Sequence, residues 1–104
     1  MKRASFKELI ERSRRPLGQR LLERAYAANK LAKACQGPTR RHLYSVKHRC
    51  LSRAIEIMPD SFYVDSQVEN GRGVILGVRS YEGFSFHIPE SGLSHGARVQ
   101  IGSM

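Results

Sequence analysis

Apolar residues recur at steps of three and four over the first sixty positions, and at steps of two over the next thirty. The first spacing belongs to helices with one buried stripe, the second to strands with one buried face. In residues 39–58 (TRRHLYSVKHRCLSRAIEIM), Leu43, Val46, Cys50, Leu51, Ala54, Ile57 and Met58 fall on one stripe, which predicts a helix that anchors the core. Arg40, Arg41, Lys47, Arg49 and Arg53 fall largely off it. Upstream, Leu21, Ala25, Ala28, Ala32 and Cys35 alternate steps of four and three, with Leu17, Leu22 and Leu31 beside them. That seam predicts a helix over 17–35, and its alanines allow close approach to a neighbour. A short coiled-coil dimer is the competing reading, weakened by the lack of clear e/g pairing.

Ser5-Phe6-Lys7-Glu8 forms a capping box, which predicts a first helix over 6–14 with Phe6, Leu9 and Ile10 on its apolar side. Pro16 disfavours helical geometry at Arg15, so this helix is expected to end or kink there. Gly37-Pro38-Thr39 is a short loop, with Gly37 closing one helix and Thr39 capping the next. So brief a link implies an antiparallel helical hairpin rather than the near-perpendicular crossing of a helix-turn-helix.

Phe62, Val64, Ser66 and Val68 alternate with polar residues as a first strand, residues 73–80 (GVILGVRS) read as a central one, and Phe84, Phe86 and Ile88 form a third. Keeping Val64, Ser66 and Val68 on the face of Val74, Leu76 and Val78 requires an odd loop. Asn70-Gly71-Arg72 supplies it and pairs Val68 with Val74. Tyr81-Glu82-Gly83 is a second three-residue loop, pairing Val78 with Phe86 and Leu76 with Ile88. Residues 90–94 form a turn around Leu93, and 97–101 read as a short edge strand. The fold class is α+β in a single domain, 1–104. A helical layer over 5–58 packs on a three-stranded antiparallel meander over 61–89, and a C-terminal tail spans 90–104.

At 104 residues and 40% apolar content, one core without metal or disulfides is feasible. Charge changes the picture more. Residues 1–53 hold fifteen Lys/Arg against three Asp/Glu, whereas 54–104 hold three against six. A helical half this basic suits phosphate or an acidic protein surface. No secretory signal is apparent, Glu8 and Glu11 argue against a transit peptide, and no apolar run approaches a membrane span. A cytoplasmic protein is therefore expected, with Cys35 and Cys50 as free thiols rather than a disulfide.

The candidate binding residues are Arg14, Arg15, Arg20, Arg24, Lys30, Lys33, Arg40, Arg41, Lys47, Arg49 and Arg53. Spread along helices, such cations can neutralise several phosphates. His42, His48 and Cys50 are spaced six and two apart, which does not suit one metal ion on a helix. No cofactor or metal is expected, and no nucleophile elbow or phosphate loop is present. His87 near Arg79 and Tyr63 is the one acid/base cluster worth testing. The element order and charge are similar to those of small basic ribonuclease toxins. The N-terminal strand of that family is missing and no motif matches, so no family is assigned. The leading expectation is a non-enzymatic module that binds DNA, RNA or a nucleoprotein complex through its cationic helical layer. The alternatives are a compact phage- or plasmid-type inhibitor or adaptor on an acidic protein surface and, behind it, a basic ribonuclease toxin.

Overall fold

The computed structural model describes residues 6–102, with side chains described over 15–101. The elements run α1 (Phe6–Ala34), α2 (Gly37–Ile57), a 3-10 turn at Pro59–Ser61, β1 (Phe62–Asn70), β2 (Gly73–Ser80), β3 (Ser85–Pro89), a second 3-10 turn at Glu90–Gly92 and α3 (His95–Gly102). The α+β reading holds: α1 and α2 pack antiparallel, and the sheet is an antiparallel meander in the order β1-β2-β3.

The two helices expected on either side of Pro16 are one. Proline inside a helix costs about 3 kcal/mol through its missing N–H and its clash with the preceding turn. Here the ring lies on the exposed side, and the chain just beyond it is held by packing. A Cβ at Gly18 would stand 3.0 Å from Met58 Sδ and 3.2 Å from Ile57 Cγ2, so the two backbones approach closely where α2 ends. Residues 6–14 therefore run past the end of α2, by about 13 Å at ~1.5 Å per residue. The Ser5 half of the capping box lies outside the described residues.

The interhelical link also differs from expectation. Gly37, at φ 63°, opens α2 instead of closing α1, and Gln36 rather than Thr39 occupies the N-cap. The end of α1 is satisfied by a side chain: Arg40 Nε donates to Ala32 O at 3.1 Å and to Cys35 O at 2.7 Å. A cation over the last carbonyls of a helix complements its dipole.

On α2 the buried stripe comprises Lys47, Cys50, Leu51, Ala54 and Ile55, continued by Met58 at the C-cap, one consistent series of three- and four-residue steps. Leu22, Ala25, Ala28 and Ala32 face it from α1, while Leu17 and Leu31 stay exposed. Phe62, Leu76, Val78, Phe86 and Ile88 complete the core from the sheet.

The second hairpin is as read: Gly83 takes φ 104°, and the pairs are Val78↔Phe86 and Leu76↔Ile88. The first hairpin is not. Asn70 pairs with Gly73, leaving a loop of only Gly71-Arg72, and Val68 lies opposite Ile75, not Val74, and is exposed. Asn70 Oδ1 accepts the Arg72 amide at 2.8 Å, an Asx turn. The parity conflict that disfavoured a two-residue loop is absorbed at Asp65, where the register slips between Val64 and Ser66. Val64↔Val78 therefore keeps the core register, while beyond the bulge Gln67 rather than Ser66 faces Leu76. Gly77 makes room for this bulge: a Cβ there would collide with Ser66 Oγ and Asp65 Oδ1.

The edge strand expected over 97–101 is the helix α3. Ala97 and Ile101, four apart, are both buried, and Ser94 caps the helix by accepting the Ala97 amide at 3.1 Å. A four-residue apolar interval fits either period, and the serine decides it.

Candidate functional site

The basic residues do not form one slab. Successive helical residues turn by about 100°, and the sheet lies against one side of the hairpin. On that side, Tyr26 meets Phe84 edge-on at 5.0 Å between ring centroids. On the opposite side stand Arg20 and Arg24 of α1 and Arg49 and Arg53 of α2. Arg24 and Arg49 share a shallow groove along the interhelical seam, about 340 Å³, floored by Leu21, Val46 and Cys50. A second groove of about 340 Å³ continues it past Arg49 and Arg53 to Gly92, Leu93 and Ser94. Arg20, Arg24 and Arg49 are exposed and make no hydrogen bond or ion pair with the described residues. Arg53 pairs with Glu56 at 3.1 Å. Glu56 also accepts from Ser94 Oγ, and that bond, aided by Arg53 against the opposing pull of burial, lowers its carboxyl below the ordinary range.

A different cationic region lies between the hairpin and β3. A pocket of about 430 Å³ is lined by Asn29, Lys33, Tyr44, Lys47, His48, Ile75, Ser85, His87 and Pro89. Its centre is Lys47, only 4% exposed because it lies on the apolar stripe one turn before Cys50 and Leu51. Lys47 Nζ donates to His87 O at 2.7 Å and sits 5.0 Å from the Tyr44 ring centroid. No carboxylate among the described residues pairs with it. Burial, and then the charge of Lys33, bring its pKa down from 10.5 to about 8. His48 is likewise lowered, first by burial and then by Lys47, so its neutral form is favoured.

Edge geometry explains why His87 O is available. Ser80 N donates to Phe84 O at 2.9 Å, and antiparallel pairs alternate, so Phe86 and Ile88 exchange hydrogen bonds with β2. The main-chain groups of Ser85 and His87 then point away from the sheet. A lysine against such an edge also guards it from pairing with another strand.

The remaining candidates divide as follows. The Arg14 side chain lies outside the described residues. Arg15 is exposed beside Met58 and Asp60 at the far end of the hairpin. Arg40 is occupied with the end of α1. Arg41 is exposed but turned away from the seam. Lys30 stands 5.7 Å from the Tyr26 ring centroid, and Lys33 lines the pocket. Of the expected grouping of His87 with Arg79 and Tyr63, the register sets Tyr63 opposite Arg79 and leaves His87 on the same face of the sheet, but Arg79 pairs with Asp65 at 3.0 Å and Tyr63 packs on Tyr81. His87 serves the pocket, which sequence reasoning missed. The signal was there, since Lys47 continues the spacing of Cys50, Leu51, Ala54 and Ile55.

Cys35 and Cys50 are free, half-buried and buried respectively. Among the described residues no group of three His, Cys, Asp or Glu could hold a metal ion, and no helix is long and apolar enough to cross a membrane. Compared with known proteins, the chain matches no family model, no curated protein and no solved structure.

Proposed function

We propose that this protein is a non-enzymatic module that binds nucleic acid, free or within a nucleoprotein complex, through the outer face of the α1–α2 hairpin. The observation that carries this reading is the groove in which Arg24 and Arg49 face the same space with no carboxylate partner among the described residues, continued by Arg53, with Arg20 one helical turn before Arg24. Along each helix the arginines are one turn apart, about 6 Å at ~1.5 Å per residue. Guanidiniums at such intervals suit a run of phosphates, and they recognise backbone charge rather than sequence. Glu23, the nearest acid on α1, is turned about 100° away from Arg24.

Four phosphate contacts would give a log–log salt slope of about −3 to −4. Arg24→Glu/Arg49→Glu, at two exposed sites, is expected to keep the fold. Its affinity for a DNA or RNA oligomer at low salt should fall about a hundredfold or more, with a slope shallower by about 2. Retention of affinity and slope in the double variant would exclude this face.

A second reading has its own observation. Leu17 and Leu31 are 48% and 56% exposed and lie on the arginine side of α1. Apolar area among arginines also suits an acidic protein partner, with this chain as a compact inhibitor or adaptor. That complex would survive salt and nuclease, and Leu17→Ser/Leu31→Ser would weaken it while leaving oligomer binding intact.

A further inference from the structure

Lys47 presents an electrostatic problem that the fold leaves open. The residue is buried, yet its ammonium has only a carbonyl and an aromatic face as partners. Buried charges are normally paired with an opposite charge. Here the charge that acts on it is another cation, Lys33, and the two share one pocket. The groups facing Lys47 are Lys33 from α1, Tyr44 and His48 from α2 and His87 from β3, and none is a carboxylate. Beside them, the outward main-chain amides of Ser85 and His87 add hydrogen-bond donors at the strand edge. The charged side chains lining this cavity are the two lysines, and its acceptors are uncharged: the His87 carbonyl and the Asn29 and Ser85 side chains.

We propose that the pocket between α2 and the edge of β3 is a binding site for a small organic phosphate monoester. Its phosphate sits between Lys33 and Lys47, and its organic part lies against Tyr44, Ile75 and Pro89. The charge count selects the class. Two ammonium groups match a dianion, and a phosphate monoester carries about −1.5 to −2 near pH 7. The size agrees, since about 430 Å³ exceeds what a bare phosphate needs and falls within the range of small-molecule sites. The apolar wall gives the remainder of the ligand a place out of water. This site is separate from the arginine groove, which lies across the hairpin.

Titrating the full chain with phenyl phosphate, phenyl sulfate and inorganic phosphate tests the assignment. Phenyl phosphate should bind saturably at one site, about tenfold or more tighter than the singly charged sulfate or the ring-less phosphate. At pH 8 its binding should draw a proton from the buffer, because an anion beside Lys47 favours the ammonium. Lys47→Met should remove binding, Lys33→Gln should weaken it several-fold, and Arg24→Glu/Arg49→Glu should leave it unchanged. Equal affinity for all three anions, no proton uptake, or loss in the arginine variant but not in Lys47→Met would overturn the proposal. Should Lys47→Met fail to fold, wild-type amide shifts decide. Perturbation at Ser85 and His87 supports the site, and perturbation confined to the outer groove overturns it.

Discussion

Arg24 and Arg49 carry the same unit charges as Lys33 and Lys47, and both pairs sit between α1 and another element. The first pair stands in water on the outside of the hairpin; of the second, Lys47 is walled in by β3. Exposed guanidiniums keep their charge at any relevant pH, are screened by salt and tolerate partners of many shapes. A desolvated ammonium pays for its position in folding free energy, titrates within reach of ordinary buffers and accepts only what fits its cavity. Net charge counted along a chain merges these cases, although they imply different ligands and different responses to salt and pH.

Three further changes would break or sharpen this contrast, apart from the binding tests. The largest effect belongs to Lys47. Its folded pKa of about 8 lies below the 10.5 of an ordinary lysine, so the unfolded chain binds more protons between those values. Stability should therefore rise with pH across that window by about 2–3 kcal/mol. In Lys47→Met this rise should vanish, as read from urea midpoints at pH 7, 8.5 and 10. A parallel pH dependence in the two proteins would mean that Lys47 is effectively solvated. Gly92→Ala comes next. A Cβ there would stand 2.9 Å from His48 Nδ1, so the imidazole must shift. The expected cost is about 1–2 kcal/mol in thermal or urea unfolding, because a methyl group at so short a distance forces the ring from its position. A neutral result would show that His48 can yield.

The smallest effect belongs to the outer face. Glu56 is held below its ordinary pKa by Ser94 and Arg53, so its contribution is present above the unfolded value and is lost as pH falls through the folded one. Glu56→Gln should flatten the acid limb of the stability profile by about 0.5 kcal/mol, a size typical of a screened, partly exposed pair. An effect as large as that of Lys47 would erase the distinction between the two faces.

Much of the architecture was legible in residue spacing. The alternating seam from Leu21 to Ala32, the short interhelical link and the loop ending at Gly83 each satisfied one local rule that the tertiary structure also obeys. The misreadings arose where a local rule was overruled. Pro16 predicted a break, but contacts at Gly18 hold the helix together. Thr39 suited a cap, but the glycine conformation at Gly37 starts α2 earlier. The site was half legible. Basic composition pointed to the helices, but the division between outer arginines and a buried lysine depends on where the sheet docks. Charge hid Lys47, because a lysine on an apolar stripe is easily assigned to solvent.

The two-residue turn at Gly71-Arg72 and the extra residue at Asp65 are one device in two places. Each alone would invert half of the hairpin, and together they cancel. Mutational drift at these loci must consequently be correlated. A residue inserted into the turn should be tolerated chiefly in chains that also delete Asp65, and Gly77 becomes free to acquire a side chain only once that compensation has happened. Relatives of this protein are thus best aligned by permitting paired gaps across β1, since a gapless comparison would juxtapose inward and outward positions and conceal kinship.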